Sequence, residues 1–265
     1  MDKARGLTLV LIAALLGACS TGGTNGTQTG GPITVLAASS LQAALTAAGE
    51  LYSAGHPGGS VTFGFDASSA LRTKIEQGAP ADLFVSADVT TAAKLVSDGF
   101  AIGPPQPFAG NRLAIVVPRA NPAHVATPAD LARSGVRLVA AGEGVPITSY
   151  ATQLIDQLAK LPGYPAGYAA RVGDNVISRE DNVAAVVAKV ALGEGDAGIV
   201  YGTDALASSE LAEIPLPADL NVSVTYAAVV LNGASAPDAA RAFLAWLTSA
   251  AGKAVLARFG FVASR

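Results

Sequence analysis

Two serine pairs each follow an apolar run and open a second one: Ser39-Ser40 in "VLAASSLQAAL" and Ser68-Ser69 in "FDASSAL". A serine just ahead of a first helical residue satisfies an orphan N–H of the first turn, so capping is the plain use of such a residue. The same position also suits an anion, because hydroxyls, free N–H groups and the positive end of the helix dipole converge there. One junction decides nothing. These two lie about thirty residues apart, and in a parallel sheet both would fall on the same edge. Two converging helix starts make a far better anion site than one.

Other residues with chemical potential point nowhere as definite. The only histidines, His56 and His124, sit in loop-like surroundings. G-x-S-x-G and H-E-x-x-H are both absent, which removes the usual signatures of a nucleophile elbow and of a zinc hydrolase. Glu180-Asp181 is an adjacent carboxylate pair. Neighbours on a helix do not face each other, so a shared proton is not expected, and the pair is read as favouring a helix N-terminus. Gly193–Gly198 spells G-x-G-x-x-G, but a helix precedes it and a strand follows, the reverse of a dinucleotide loop. It reads as a helix end and a turn. Arg72, Lys74 and Arg112 read as surface or rim charges.

The chain has 265 residues, of which 14% are charged and 6% aromatic, with a net charge of -3. That balance offers neither a basic footprint nor stacking platforms for nucleic acid. A single cysteine, Cys19, leaves no disulfide framework and no cysteine metal site within one chain. Lys3 and Arg5 precede an apolar run from Leu7 to Ala18, too short to span a bilayer and shaped like a secretion signal. Its end, "LGAC", resembles the lipobox of bacterial lipoproteins, which implies a signal peptide over residues 1–18, cleavage before Cys19 and lipid on its sulfur. An ordinary signal peptide is the plain alternative. Residues 19–32 then form a lipidated start and a glycine- and threonine-rich tether.

From Ile33 onward strand-like and helix-like runs alternate. Strands are predicted over 34–38, 61–65, 82–86, 113–117, 136–140, 198–201 and 222–231. Helices are predicted over 41–54, 69–77, 89–97, 149–160, 182–192, 237–248 and 249–259, with Ser68 as an N-cap and Gly78 and Gly99 as stops. Pro104, Pro105 and Pro107 read as a break in the pattern. Such alternation implies largely parallel sheets covered by helices, with ligands bound at the carboxyl ends of the strands.

"AASSLQAA", "FDASSAL", "GAPADLFVSAD", "EDNV" and "GIVYGTDA" occur in this order and together resemble the molybdate-binding proteins of ABC importers, over nearly all of the chain after residue 32. The resemblance implies an α/β fold of the type II periplasmic binding kind: two mixed, mostly parallel sheets flanked by helices, with the ligand in a cleft between two lobes. It implies lobe one over 33–112 plus 226–265 and lobe two over 113–225. Carried over motif by motif, the oxyanion ligands would be Ser40 and Ser68 through hydroxyl and N–H, Ile147 and Val183 through backbone N–H, and Tyr201 through its phenol. All are neutral donors, as a fully deprotonated tetrahedral dianion requires.

In two places the chain departs from the family pattern. Ile147 stands where a small residue is usual, and Asp66 precedes the second serine pair, where it is expected to point outward. The implied function is a lipid-anchored, extracytoplasmic, monomeric solute receptor with no enzyme activity and no cofactor. It would capture molybdate and tungstate without direct metal ligands and deliver them to an ABC permease. A receptor for another oxyanion such as sulfate, and a non-transport lipoprotein of the same fold, are the rival expectations.

Overall fold

The computed structural model describes residues 31–217, 220 and 222–264. The signal run, Cys19 and most of the expected tether lie outside these residues. Ten strands divide between two five-stranded sheets. The first sheet holds β1 (Ile33–Ala38), β2 (Val61–Asp66), β3 (Leu83–Ser86), β4 (Ala101–Asn111) and β10 (Val224–Leu231), in the order β2-β1-β3-β10-β4. The second holds β5 (Leu113–Pro118), β6 (Leu138–Ala141), β7 (Val176–Glu180), β8 (Ala197–Tyr201) and β9 (Leu211–Ile214), in the order β7-β6-β8-β5-β9. The chain passes from the first sheet to the second between Asn111 and Leu113, and returns ahead of Val224.

Helices fill the connections: α1 (Gln42–Gly55), α2 (Ser68–Glu76), α3 (Val89–Ser97), α4 (Pro146–Leu158), α5 (Tyr168–Asp174), α6 (Val183–Ala191), α7 (Gly202–Ala207), α8 (Pro237–Thr248) and α9 (Ala250–Arg258). Their ends obey local rules. Asp88 accepts from the Thr91 N–H at 2.7 Å and caps α3, and Asn182 caps α6 through the Ala185 N–H. Gly78 takes φ of 90° after α2 and Gly99 takes 82° after α3, the left-handed conformation that closes a helix at little cost only for glycine.

Both sheets are mixed and mostly parallel, as expected: in each, four of the five described strands point the same way and one runs against them. Pairs β1–β2, β1–β3, β6–β7 and β6–β8 are parallel, whereas β3–β10, β4–β10, β5–β8 and β5–β9 are antiparallel. The strands that follow each crossing, β5 and β10, run against their neighbours. The proline-rich stretch is a strand and not a break. β4 lies at the sheet edge and its pairing with β10 carries register shifts, the setting in which a missing N–H is tolerated.

The core follows from this layering. Val35, Ala37, Leu83 and Val85 of the first sheet and Ala114, Ile115, Val116 and Val200 of the second are almost wholly buried. Leu41, Leu45 and Ala48 seat α1 against its sheet, and Val186 and Val190 do the same for α6. The carboxyl ends of β1, β2, β6 and β7 lead into the starts of α1, α2, α4 and α6, and these starts build the site together with Tyr201 at the end of β8.

Candidate oxyanion site between the two sheets

Ser40, Ser68, Ile147, Val183 and Tyr201 line one cavity. The first two come from the β1–α1 and β2–α2 junctions, Ile147 and Val183 follow β6 and β7 of the second sheet, and Tyr201 ends β8. The cavity is small, about 10 Å³, on the measure by which about 10–15 Å³ holds one water. That leaves no room for a sugar or peptide. Among its lining residues there is no lysine or arginine.

Counter-charge must therefore come from the backbone. Ser40 lies in a 3-10 turn that leads into α1, Ser68 is the first residue of α2, Ile147 the second of α4 and Val183 the first of α6. The first N–H groups of a helix have no partner within it. Each helix start carries about half a positive charge, so four of them supply roughly two, the charge of a dianion.

Neither serine hydroxyl caps its own helix, and Ala67 rather than Ser68 holds the N-cap position of α2. Ser68 Oγ is buried and accepts from the Ala87 N–H at 3.0 Å, which leaves its proton free for another acceptor. Ser40 Oγ lies 3.0 Å from Tyr226 Oη. The Tyr201 phenol is fully buried, and its oxygen has no hydrogen-bond partner among the described residues. Burial, and behind it the neighbouring Tyr226, Tyr150, Asp204 and Asp88, push its pKa well above the usual value. It stays protonated and is a donor in search of an acceptor. A buried hydroxyl left without a partner costs about 1–3 kcal/mol, so an anion accepting from it recovers that cost.

Ile147 is 1% exposed, and its side chain also faces an apolar hollow between α4, α5 and β6 lined by Leu138, Ala151, Ile155 and Val172. Its bulk is thus absorbed behind the anion cavity, while the backbone N–H it would offer is independent of side-chain size. Asp66 does not point away into solvent: it lines the cavity, against expectation. Its carboxylate is engaged by Ala67 N–H at 2.8 Å, Lys74 Nζ at 2.9 Å and Asn182 Nδ2 at 3.3 Å. Burial would raise its pKa, but the Lys74 ammonium and the two N–H donors outweigh that and hold it below the usual range. The paired charge explains how a carboxylate is tolerated beside an anion cavity.

Glu180 does not serve a helix start either. It ends β7, where Lys189 Nζ at 2.9 Å and Ser178 Oγ at 2.7 Å hold it. Arg72 pairs with Glu76, Arg112 forks onto Glu213, and neither lines the cavity. Residues 193–196 are the turn between the end of α6 and β8, as expected, and Ala197 and Gly198 open β8.

Asn111 and Tyr226 escaped sequence reasoning, as did the contact between Asp66 and Asn182. Asn111 and Tyr226 sit behind Ser40 (Asn111 Nδ2 donates to Tyr226 Oη at 3.3 Å and to Thr203 Oγ1 at 2.9 Å). Asp66 and Asn182 join the two sheets beside the cavity. No local pattern marks these pairs, which are 115 and 116 positions apart.

Comparison with known proteins agrees with this architecture. The family described as bacterial extracellular solute-binding protein matches residues 33–262. Over 262 residues, the chain is 37% identical to the molybdate-binding protein ModA of Mycobacterium tuberculosis, covering 97% of this chain and 96% of that protein. The structure of the Azotobacter vinelandii periplasmic molybdate-binding protein superposes with a TM-score of 0.74 at 22% identity, covering 88% of this chain and all of that one. The sulfate-binding protein SubI of Mycobacterium tuberculosis superposes with a TM-score of 0.78 at 19% identity, covering 87% and 86%. At those identities the two structures speak to the fold alone.

Proposed function

The chain belongs to the bacterial extracellular solute-binding protein family, and from that membership and the cavity's donor set we propose that it is a molybdate receptor serving an ABC importer. Ser40 and Ser68 bind through hydroxyl and N–H, Ile147 and Val183 through backbone N–H, and Tyr201 through its phenol. The observation that carries this reading is the Tyr201 hydroxyl: it is buried, protonated and unpartnered among the described residues, and Tyr201 is one of the residues lining the cavity beside four helix starts. A deprotonated tetrahedral dianion supplies acceptors on every side and two negative charges for about two positive ones. Tungstate, of the same shape and charge, is held by the same donors.

In this reading residues 33–112 with 226–265 form one lobe and residues 113–225 the other. Donors from both lobes make the closed state the better binder, and a ligand drives closure only through such a difference. The closed receptor then presents its surface to the permease. Lipid on Cys19 holds the chain, as a monomer, at the outer face of the membrane. The role is binding and release, and no catalytic step is assigned.

Sulfate is the second reading, because it too is a fully deprotonated tetrahedral dianion that a set of neutral donors without lysine or arginine suits. Calorimetric titration of the purified chain with molybdate, tungstate, sulfate and phosphate separates the two. Tight molybdate and tungstate binding with sulfate silent is expected. Tight sulfate binding with molybdate silent would keep the site and change the cargo, and silence from all four would sink the assignment.

A further inference from the structure

The hydrogen bond between Ser40 and Tyr226 has two possible directions, and the groups behind it choose one. The Arg112 N–H can only donate, and it meets Asn111 Oδ1 at 2.9 Å. That orients the amide: the opposite flip would set Nδ2 against another donor. Asn111 Nδ2 therefore faces Thr203 Oγ1 and Tyr226 Oη and spends its two hydrogens on them. Tyr226 Oη, accepting from Asn111, has its own proton left for Ser40 Oγ. Ser40 Oγ, accepting from Tyr226, has its proton left for the cavity. Asn111 is 6% exposed and Tyr226 is fully buried, so water does not readily reverse the order.

We propose that Asn111 determines specificity at a distance: through Tyr226 it locks Ser40 as a donor, so the site accepts fully deprotonated tetrahedral dianions and rejects those that carry a proton. The proposal rests on the oxyanion reading of the site and extends it to a rule of selection. A molybdate oxygen only accepts. Monohydrogen phosphate must place one O–H against something; Ser40 is held the wrong way round, Tyr201 is itself a donor, and the Asp66 carboxylate is already engaged by Ala67, Lys74 and Asn182. An O–H facing an O–H donor leaves a buried donor unpaired, at a cost of about 1–3 kcal/mol, or roughly five- to a hundredfold in affinity. Sulfate is not excluded by this device, since it too is deprotonated.

The test is the ratio of molybdate to phosphate affinity at pH 8, with phosphate read by its competition against molybdate. Asn111→Asp replaces the amide nitrogen with an acceptor of the same shape. One carboxylate oxygen still serves the Arg112 N–H, and the other takes the Tyr226 proton. Ser40 must then donate to Tyr226 and turn a lone pair toward the cavity. The added charge weakens both dianions alike, so the ratio isolates the polarity of Ser40. The ratio is expected to fall about tenfold. Tyr226→Phe, which frees Ser40 without adding charge, should lower it in the same direction. In a Ser40→Ala background, Asn111→Asp should leave the ratio unmoved.

A ratio unchanged in both single variants, each still binding molybdate, would overturn the relay and leave the site reading intact. So would an equal fall in the Ser40→Ala background. A parent chain that binds none of the oxyanions would overturn the site reading and the relay with it.

Discussion

Replacing Tyr201 by phenylalanine separates a ligand hydroxyl from a structural one. The ring packs near Tyr226 and Tyr150, with centroids 5.7 and 6.4 Å away, and phenylalanine keeps that packing. What is lost is one O–H that no described residue accepts. In the anion-free protein this removes a desolvated group with nothing to bond, so stability should hold level or rise by about 1 kcal/mol. In the complex it removes a hydrogen bond to a charged acceptor, worth about 1.5–3 kcal/mol, or roughly ten- to a hundredfold in Kd. Tyr226→Phe is the contrast, because its hydroxyl holds Ser40 and Asn111 and its loss should cost about 1–2 kcal/mol of stability. Urea melts without anion and calorimetry with molybdate read both quantities. Parental affinity in Tyr201→Phe would refute the ligand role. A drop in anion-free stability as large as that of Tyr226→Phe would show that the hydroxyl has a protein partner after all.

Three further outcomes follow from neighbouring residues. Burial pushes the Asp204 carboxyl up to about 7, against the pull of the Tyr201 N–H it accepts. The folded chain thus binds a proton that the unfolded chain releases between roughly pH 4 and pH 7, and stability falls as pH rises through that window. Asp204→Asn should exceed the parent in stability above pH 7 by on the order of 4 kcal/mol, with the gap closing toward pH 4; urea melts showing a gap independent of pH would contradict this. Ile147→Ala should cost about 2–4 kcal/mol of stability, because the side chain is core, yet change molybdate affinity by less than about threefold, because the donor is backbone. An affinity loss matching that of Tyr201→Phe would mean the side chain shapes the pocket. Asn182→Ser keeps a capping oxygen for α6 but drops the amide that reaches Asp66. Stopped-flow should show molybdate leaving about tenfold faster at an unchanged on-rate, and in an Asp66→Ala background the same change should add nothing; additive effects would reduce the contact to a bystander.

Much of this protein was legible before any coordinates, because the signals are local. A serine after a β-branched run, a glycine after an apolar helix and a proline at a first helical turn each act through the backbone within a few residues. Most helix starts and stops and the five cavity residues could be named on those grounds and on motif resemblance, but α4 starts at Pro146 and not at 149, and α5 and α7 were not foreseen. The reading failed where the deciding partner is remote. Prolines 104, 105 and 107 look like a break until β4 is seen at a sheet edge, where their missing N–H groups cost nothing. Glu180 looks like a helix-start carboxylate until Lys189 is found against it.

By itself, then, the sequence determined that strands feed helices whose first turns present free N–H groups, and that the candidate ligands are neutral donors. Tertiary structure alone decided which of these turns meet, and which way the bonds behind them point. Tyr226 reaches Ser40 across 186 positions of chain because β10 returns to the first sheet after the whole of the second has been built. Asp66 meets Asn182 because β2 and β7 are the outer strands of their sheets. Hydrogen-bond direction depends on the full set of donors and acceptors around a group, and that set exists only once distant segments have packed.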